Sequence, residues 1–533
     1  MDPTQRRRSF DPLVVAVAGG ITICFLVVGV LFTQTVGDVG KLIWGFIAAW
    51  FGWVYVLATA GFVFFALALA LSKYGKIKLG DDDDEPEFSI TSWIGMMFAV
   101  GIGIGLLFYG AAEPVLLWSN PPPDTAAPRT EEAAEVGMQY SLFHWALHPW
   151  AFFGVVGLAL GYVSHRRKRP AMVSSAYAPL IGERVQGAPG RVINTFVVFA
   201  TLVGNAVTLG LGALQITSGL TYITGFSQTK VLQAAVVGIL TIAFVASAVS
   251  GVSRGVQFLG NANIVLAVIL MLFLVVVGPL QSMLDLMSEA LGGYVVNFIP
   301  MAFQTGWLGG DEWMRNWTIF FWAWGISWAP YVGTFMARIS RGRTIREYVL
   351  GVLVLPSLVT VVWFTIMGGT ALHLQRTGQK DIASAASQSA QAAMFEMLQA
   401  FPLWPVFSGV VIALAAIFFV SGADAGAIVL GTFSSWGALH PRRWLVIMWG
   451  LLIGFVAIVL LIVGGLNALQ WAAVVAASPF VLILIGMCAG LVKALGTDPS
   501  IRAGPSQGQR ENAPDSQLRQ WIRQTREEAG SQS

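Results

Sequence analysis

An aromatic segment at residues 144–154, HWALHPWAFFG, carries side chains that can bind an organic cation. On a helix with about 100° per residue, its Trp145, Phe153 and Trp150 spread over an arc of about 140° on one side. Pro149 loosens the backbone between the two tryptophans. Indole faces attract a cation that cannot donate hydrogen bonds, such as a quaternary ammonium, by about 2 kcal/mol or more once water is excluded. The segment therefore predicts one side of an aromatic cage.

A second aromatic segment, FFWAWGISWAPYVG at residues 320–333, predicts another side of that cage. Trp322, Gly325 and Trp328 lie about 60° apart on one helix face, and Trp324 lies beside Trp328. The missing side chain at Gly325 predicts a gap between two indoles. Tryptophan is also enriched in the interfacial belt of membrane helices, which explains most of the 20 Trp residues here. Two clusters beside prolines, flanked by apolar residues, fit the belt less well.

Three glycines interrupt an apolar run, MMFAVGIGIGLLFYG at residues 96–110, at every second position: Gly101, Gly103 and Gly105. Each costs roughly 1 kcal/mol relative to alanine in a helix interior. One explanation is packing, because small residues let membrane helices approach closely. The other is a broken helix whose unwound backbone lines a cavity and reaches a substrate or ion. Because the two aromatic segments predict a cage, we favour the hypothesis that this helix unwinds next to it.

Side-chain oxygens occur in two further apolar segments, which we expect to lie at membrane depth. They are Ser421 and Asp424 in residues 417–431, and Thr201, Asn205 and Thr208 in residues 199–215. Polar groups within a membrane are costly and mark functional sites by default. Hydroxyl and amide oxygens suit a small hard cation. Hydrogen bonding between helices is the alternative, and we favour it for Thr208.

Three other ionisable residues admit structural explanations. His144 and His148 fit helix packing as well as function, and Glu113 is expected to cap or pair locally. The sequence contains no nucleophile–base set, metal-ligand cluster or phosphate-binding loop, and GIGIG lacks the strand–turn–helix context of a nucleotide fingerprint. We therefore expect no enzyme, no cofactor and no nucleic-acid partner.

The composition is that of a membrane protein. Of 533 residues, 56% are hydrophobic and 11% charged, against about 25% charged in soluble domains, and mean hydropathy is +0.70. Runs of roughly 20 apolar residues span a bilayer. We predict an all-α integral membrane protein with about twelve spans: 13–35, 43–72, 91–110, 139–164, 192–223, 231–250, 259–280, 316–337, 347–370, 404–432, 444–465 and 468–493.

Lysine and arginine predict the orientation. Placing both termini inside the cell puts all but six of the 31 Lys and Arg residues on the cytoplasmic side. The six exceptions are Lys41, Arg129, Lys230, Arg315, Arg376 and Lys380. Four other segments do not span. We predict a cytoplasmic N-terminal tail at 1–12, a solvated acidic turn beside the basic loops at 81–88, an amphipathic interfacial helix at 283–303, and a cytoplasmic, polar C-terminal tail at 495–533.

Long motifs make the sequence resemble the betaine/choline/carnitine transporter family from about residue 12 to 495. They are KIKLG…DDEPEF, MMFAVGIGIGLLFYGAAEP, HWALHPWAFFG, ATLVGNAVTLGLGALQ, WAWGISWAPYVGTFMARISRGRTIRE and FFVSGADAGAIVLG. The resemblance implies a LeuT-type core in the transmembrane domain, 13–494, with two inverted five-helix repeats, about 91–280 and 316–493, after two N-terminal helices. It also implies a homotrimer in the plasma membrane, with 283–303 helping subunit contact.

The resemblance also implies a substrate site. Trp145, Trp150 and Phe153 match one side of the family's aromatic box, with Phe153 where a tyrosine is frequent. Trp322, Trp324 and Trp328 match tryptophans of the eighth span, whereas Gly325 stands where the family has a tryptophan that closes the box.

Two sodium sites are implied in the same way. One resembles the backbone of Ala99 and Ile102 with Phe418, Ser421 and Gly422, where Gly422 replaces a second hydroxyl. The other resembles Thr201, Asn205 and Tyr331, where Asn205 replaces a hydroxyl residue and keeps an oxygen ligand.

We therefore predict a sodium symporter that imports a betaine-like or other zwitterionic compatible solute by alternating access. The first two spans of each repeat would rock against the rest around a midplane site. Proton coupling, ion-independent exchange of quaternary ammonium compounds, a channel, and an osmosensor with transport secondary remain alternatives. The charged tail, which suits anionic lipid, is the feature that suggests the osmosensor.

Overall fold

The computed structural model describes residues 10–101, 103–250, 253–306 and 311–502, and within them the chain is helical. Its only β contact there is a single bridge between Lys78 and Thr344. The helices are α1 (Pro12–Leu31), α2 (Thr33–Leu71), α3 (Ile90–Gly101), α4 (Ile104–Ser119), α5 (Glu131–Trp145), α6 (Leu147–Gly161), α7 (Ala178–Ile181), α8 (Ala188–Thr224), α9 (Lys230–Ser250), α10 (Ser253–Val277), α11 (Leu280–Ala302), α12 (Asp311–Met314), α13 (Phe320–Ile339), α14 (Ile345–Arg376), α15 (Ile382–Gln388), α16 (Ala392–Leu398), α17 (Trp404–Phe433), α18 (Arg443–Gly496) and α19 (Pro499–Arg502).

Helices cover most of each predicted membrane span, and an all-α, multi-span fold is confirmed. Nine helical segments of the described chain are individually long and apolar enough to cross a membrane. The 54-residue α18 holds the last two predicted spans. It bends between them at Gly464 and Gly465, and Gly465 adopts a φ of 57° that favours glycine.

Two helices are interrupted where the sequence is rich in glycine or proline. The helix predicted over 91–110 stops at Gly101 and resumes at Ile104, and Gly103 between them is extended, with φ −126° and ψ −171°. The helix predicted over 139–164 stops at Trp145 and resumes at Leu147, three residues before Trp150. Both breaks lie within the segments that the sequence singles out for binding.

Loops rich in basic residues gather at one end of the bundle, which we call the basic end. The acidic turn at 81–88 lies there beside these loops, as predicted. Three ion pairs join them: Lys168–Asp81 at 2.8 Å, Arg166–Asp82 at 2.5 Å and Arg341–Asp84 at 3.2 Å. The start and finish of the described chain reach the same end, because Asp11 pairs with Arg191 and Asp498 pairs with Arg166. The described chain therefore runs the length of the bundle an even number of times.

The opposite end carries fewer basic residues. Arg376 pairs there with Glu131 at 2.5 Å, and Lys380 pairs with Glu396 at 3.1 Å. The predicted amphipathic segment forms α11, a helix that lies against α5 and α14. Its buried residues, including Met283, recur at helical spacing, and its other face exposes apolar side chains: Leu284, Leu291, Val295, Val296 and Ile299.

Candidate substrate and ion site

The glycines at the α3–α4 break lie directly beneath indole rings. A Cβ on Gly103 would lie 3.2 Å from Cη2 of Trp328. A Cβ on Gly105 would lie 2.5 Å from Cη2 of Trp145 and 2.6 Å from Cη2 of Trp324. The helix is therefore broken and its small residues also admit close packing, so the two explanations of the glycine pattern do not exclude each other. Ile102 lies outside the described residues, and only the helical backbone of Gly101 is described.

Five rings form an aromatic cluster around the start of α4. Trp145 and Trp324 meet edge to face at 5.8 Å between ring centroids. Tyr109 and Phe321 contact each other and both indoles, and Phe320 contacts Tyr109, Phe321 and Trp324, with centroids 5.0–6.4 Å apart in each pair. The cluster joins α4, α5 and α13, so the packing of three helices determines its shape.

Trp324 and Trp328 connect this cluster to the rest of α13. Their ring centroids lie 5.4 Å apart. The Trp328 indole N–H donates to the carbonyl of Gly204 on α8 at 3.1 Å. The buried Trp324 Nε1 has no hydrogen-bond partner among the described residues, so its N–H can donate to a ligand.

A cavity of about 610 Å³, which we call the basic-end cavity, approaches the cluster from the basic end. Phe88 and Ser92 lie at its mouth, and Gly103 and Trp328 line its depth. Its walls also contain most of the residues predicted to bind sodium: Asn205, Tyr331, Phe418, Ser421 and Gly422. The packing of α8, α13 and α17 thus brings residues that are far apart in the sequence to one cavity.

A second cavity of about 850 Å³, which we call the opposite-end cavity, approaches from the other side. Lys41, Glu312 and Arg315 give it a charged rim, whereas Tyr109 and Phe320 form part of its apolar lining. Phe320 stacks on Trp324 at 5.7 Å with an interplanar angle of 6°. The aromatic cluster therefore lies between the two cavities.

Three predicted cage residues lie elsewhere. Trp322 is buried against His148 and Phe143, with ring centroids at 4.9 and 5.1 Å. Trp150 and Phe153 contact each other at 5.8 Å, and no ring contact joins them to Trp145 among the described residues. The helical arc that predicts a common cage wall fails because α5 ends at Trp145, so α6 begins a new helix.

Gly325 does not leave a gap between indoles, so that prediction is wrong. A Cβ at this position would lie 2.8 Å from Cε2 of Phe152, and closer still to Cζ of the same ring. Gly325 instead lets α13 approach α6. The residue that fills the space belongs to another helix, which a wheel of α13 alone cannot show.

The predicted ion ligands differ in the hydrogen bonds that their side-chain polar atoms make. Ser421 Oγ donates to the carbonyl of Ile417 at 2.8 Å, within its own helix. Asn205 Nδ2 donates to the carbonyl of Thr201 at 2.7 Å, and among the described residues no hydrogen bond to its Oδ1 is seen. Thr201 Oγ1 is buried and has no partner among the described residues. Ile102, and Ala99 beyond its helical backbone, lie outside what the structure describes.

Thr208 departs from expectation, whereas Asp424 follows the alternative of hydrogen bonding between helices. Thr208 donates to Gly204 of its own helix at 3.0 Å and lines the basic-end cavity, instead of bonding to another helix. Asp424 is 2% exposed and is hydrogen-bonded to Ser247 of α9, although its Oδ1 has no partner among the described residues.

Glu113 is part of a buried network that sequence reasoning missed. It lies inside α4 and bonds to residues more than 30 positions away, so the expectation of a local cap or pair is wrong. Its Oε2 accepts from Trp145 Nε1 at 2.6 Å, and its Oε1 lies 2.6 Å from His144 Nδ1. The other ring nitrogen of His144 lies 3.0 Å from Thr318 Oγ1. His148 stacks its ring on Trp322, and neither of its buried ring nitrogens has a hydrogen-bond partner among the described residues.

Comparison with known proteins gives a consistent result. A family model described as "BCCT, betaine/carnitine/choline family transporter" matches residues 13–500. The chain is 41% identical over 482 residues to the glycine betaine transporter OpuD of Bacillus subtilis, across 90% of this chain and 93% of that protein. It is 38% identical to the betaine/ectoine transporter LcoP of Corynebacterium glutamicum, across 94% and 80%. It is 38% identical to the ectoine/hydroxyectoine transporter of Virgibacillus pantothenticus, across 90% and 95%.

Proposed function

Because the chain belongs to the betaine/carnitine/choline transporter family, we propose that it imports a betaine-like or ectoine-like zwitterion by sodium symport and alternating access. It is a membrane transporter and not an enzyme. The finer assignment, of solute, ion and mechanism, rests on the site described above. The basic end is the cytoplasmic face in this proposal, as the distribution of Lys and Arg predicts.

One observation carries the mechanism. The aromatic cluster separates a cavity of about 610 Å³ on one side from a cavity of about 850 Å³ on the other. A channel would need a continuous polar path, whereas a carrier needs a barrier that opens to one side at a time. Trp324 contacts rings from both cavities, Phe320 on one side and Trp328 on the other. Small movements of α13 against α4 would therefore change which cavity reaches the site.

The chemistry of the cluster suits a zwitterion. The indoles of Trp145 and Trp324 offer faces for a cationic group, and each such contact is worth about 2 kcal/mol when desolvated. A carboxylate on the same ligand can accept from the unpartnered Nε1–H of Trp324. The names of the similar proteins specify glycine betaine, ectoine and hydroxyectoine, all zwitterions. We therefore place the solute of this chain in the same chemical class.

Sodium would bind on the wall of the basic-end cavity. Hard cations prefer oxygen ligands, and the Ser421 hydroxyl and the Asn205 amide lie there with Gly103 at the helix break. Unwound backbone at such a break supplies carbonyl oxygens in other transporters of broken-helix type. Gly422 contributes no side-chain oxygen, so Ser421 is the one hydroxyl of its site.

We also propose a homotrimer in which α11 contributes to the subunit contact. The exposed apolar residues of α11 lie on one helix, beside its polar Asp285 and Glu289. Light scattering of the purified protein in detergent tests this: we expect three chains, and a monomer would contradict the proposal.

The function is tested with a panel of radiolabelled solutes, in cells that lack their own compatible-solute carriers. Glycine betaine, choline, carnitine, ectoine, proline and dimethylsulfoniopropionate are compared in sodium, lithium and potassium buffers. We expect saturable, sodium-dependent uptake of one or more zwitterions, and little uptake of choline, which lacks a carboxylate. Equal uptake in all three buffers would contradict sodium coupling and would favour a proton-driven carrier or an exchanger.

A further inference from the structure

Glu113 is a fully buried acidic residue with two neighbours from a different helix. Its carboxyl group is 0% exposed on α4, and both oxygens are occupied, one by Trp145 and the other by His144. Burying an acid in the membrane interior is costly unless its hydrogen bonds are satisfied. It lines neither the basic-end cavity nor the opposite-end cavity, because its side chain is enclosed by protein. Its contacts must therefore explain its presence.

The network that includes Glu113 joins the helices that carry the aromatic cluster. Glu113 lies on α4, two turns after Gly105, and His144 and Trp145 close α5. Thr318 lies in a single π-helical turn, Arg315–Ile319, that leads directly into α13. Hydrogen bonds of 2.6, 2.6 and 3.0 Å thus connect α4 to α5, from which Trp145 projects, and α5 to the turn that leads into α13, from which Trp324 projects.

Two constraints act on the Trp145 indole at once. Its six-membered ring covers Gly105, where a Cβ would lie 2.5 Å from Cη2. Its Nε1–H donates to Glu113 at the other edge of the ring system. Trp145 is half-buried, so part of its surface is accessible. A ring held at both edges presents one fixed face.

We infer that Glu113 is a positioning residue: by accepting from the Trp145 indole and holding His144, it fixes the face that Trp145 presents to the cationic group of the solute. This inference rests on the proposed function and names a residue on which solute affinity depends without contact. The role requires an acceptor at position 113 and does not require a negative charge. It differs from a role as ion ligand or proton carrier, for which the charge would be essential.

Two substitutions separate these roles. Glu113→Gln keeps one oxygen that accepts from Trp145, while its amide N–H can donate to His144 Nδ1. The imidazole then takes its other tautomer and donates from Nε2 to Thr318, so the network is kept. Glu113→Met has a similar volume and provides no acceptor of comparable strength. Positioning therefore predicts that Gln preserves solute affinity and Met does not.

The experiment measures the dissociation constant of radiolabelled glycine betaine, with ectoine as a second probe, on the purified full-length protein. We expect Glu113→Met to raise the dissociation constant about tenfold, equivalent to about 1.4 kcal/mol. The dissociation constant of Glu113→Gln should stay within about threefold of the wild-type value. In a Trp145→Phe protein, which has no indole N–H at position 145, Glu113→Met should raise the dissociation constant less than about twofold. Ser434→Ala is the matched control. It removes the acceptor of another buried indole, Trp449, at 3.0 Å near the basic end, and should leave the constant unchanged.

Two results would overturn the inference: equal losses in Glu113→Gln and Glu113→Met, or a full tenfold loss from Glu113→Met on the Trp145→Phe background. If Glu113→Met does not reach the membrane, Thr318→Val replaces it. That variant removes the hydroxyl that holds His144, and should weaken binding two- to threefold in wild type and not in Trp145→Phe. An unchanged constant in wild type would contradict the inference. Failure of the proposed function is distinct, because the wild-type protein would then bind neither probe.

Discussion

Replacing Gly105 by alanine places a methyl group where two indoles of the aromatic cluster already meet. Its Cβ would lie 2.5 Å from Cη2 and 2.9 Å from Cζ3 of Trp145, and 2.6 Å from Cη2 of Trp324. Carbon atoms in contact normally lie about 3.5–4.0 Å apart. Both rings must therefore retreat by about 1 Å. Trp145 cannot do so freely, because Glu113 holds its indole nitrogen.

The size of the effect follows from the two rings. Overpacking of this kind costs about 1–3 kcal/mol of folding stability, partly offset by the gain of about 0.5–1 kcal/mol from replacing glycine in a helix. The loss of binding free energy should be larger than this loss of folding stability. Displacing the indoles removes about one desolvated cation–π contact, worth about 2 kcal/mol, which raises the dissociation constant about thirtyfold.

Equilibrium binding of radiolabelled glycine betaine and ectoine, with thermal unfolding of the same samples, measures both quantities. The matched control is Gly61→Ala on α2, where no atom lies within 4 Å of the added Cβ. The control should bind like wild type and unfold at an equal or slightly higher temperature. Binding by Gly105→Ala with the wild-type constant would refute the placement of the solute against Trp145 and Trp324.

Three further predictions concern other parts of the molecule. Gly325→Ala should lower the free energy of unfolding by about 1–3 kcal/mol through overlap with Phe152, and Phe152→Leu should recover most of it in thermal unfolding; a changed solute preference at unchanged stability would contradict this. Burial raises the pKa of the Asp498 carboxyl, but its hydrogen bonds to an arginine, a serine and a tyrosine outweigh burial and leave the pKa below its ordinary 3.8. Its stabilising effect is therefore complete above about pH 5 and is lost progressively as pH falls from there through the folded-state pKa, so Asp498→Asn should cost about 3 kcal/mol equally at pH 5 and pH 8, and a cost that differs between these two pH values would contradict it. Ser421→Ala should raise the half-saturating sodium concentration for uptake roughly fivefold, about 1 kcal/mol, whereas Ser408→Ala, a buried serine on the same helix outside the cavity, should not; an unchanged value for Ser421→Ala would remove that hydroxyl from the ion site.

Much of the fold is predictable because the membrane simplifies the sequence pattern. Apolar runs of about 20 residues must be helical there, since every backbone polar group needs an internal partner. The break at Gly103 is also predictable, because three glycines in five residues weaken the helix locally. The acidic turn at 81–88 pairs with basic loops as its charge indicates.

The composition of the cage is less predictable, because it depends on which helix faces which. Trp145 and Trp324 meet across α5 and α13, and nothing in either helical wheel indicates that contact. Trp322 faces His148 instead. The break at Ala146 also separates Trp145 from Trp150, so a wheel drawn through both residues assumes a continuous helix that does not exist.

Long-range hydrogen bonds are the least predictable feature. Glu113 is separated from His144 and Trp145 by 31 and 32 residues. One signal was present in the sequence: an acidic residue directly after an apolar run, with a histidine–tryptophan pair in the next predicted span. Intramembrane ionisable groups are expected to find partners on neighbouring helices, and that rule, applied to Glu113, indicates a partner in the adjacent span instead of a local cap.

Solute accumulation in proteoliposomes tests the central claim most directly. Purified protein is reconstituted into liposomes, and an inward sodium gradient is imposed with radiolabelled glycine betaine or ectoine outside. Wild type should concentrate one or both solutes above the external level, and the accumulated solute should leave when the sodium gradient is collapsed. Trp324→Leu, inserted to the same level, should accumulate neither. Equilibration without accumulation, or accumulation that is the same with and without the sodium gradient, would contradict a sodium-driven carrier built around this aromatic cluster.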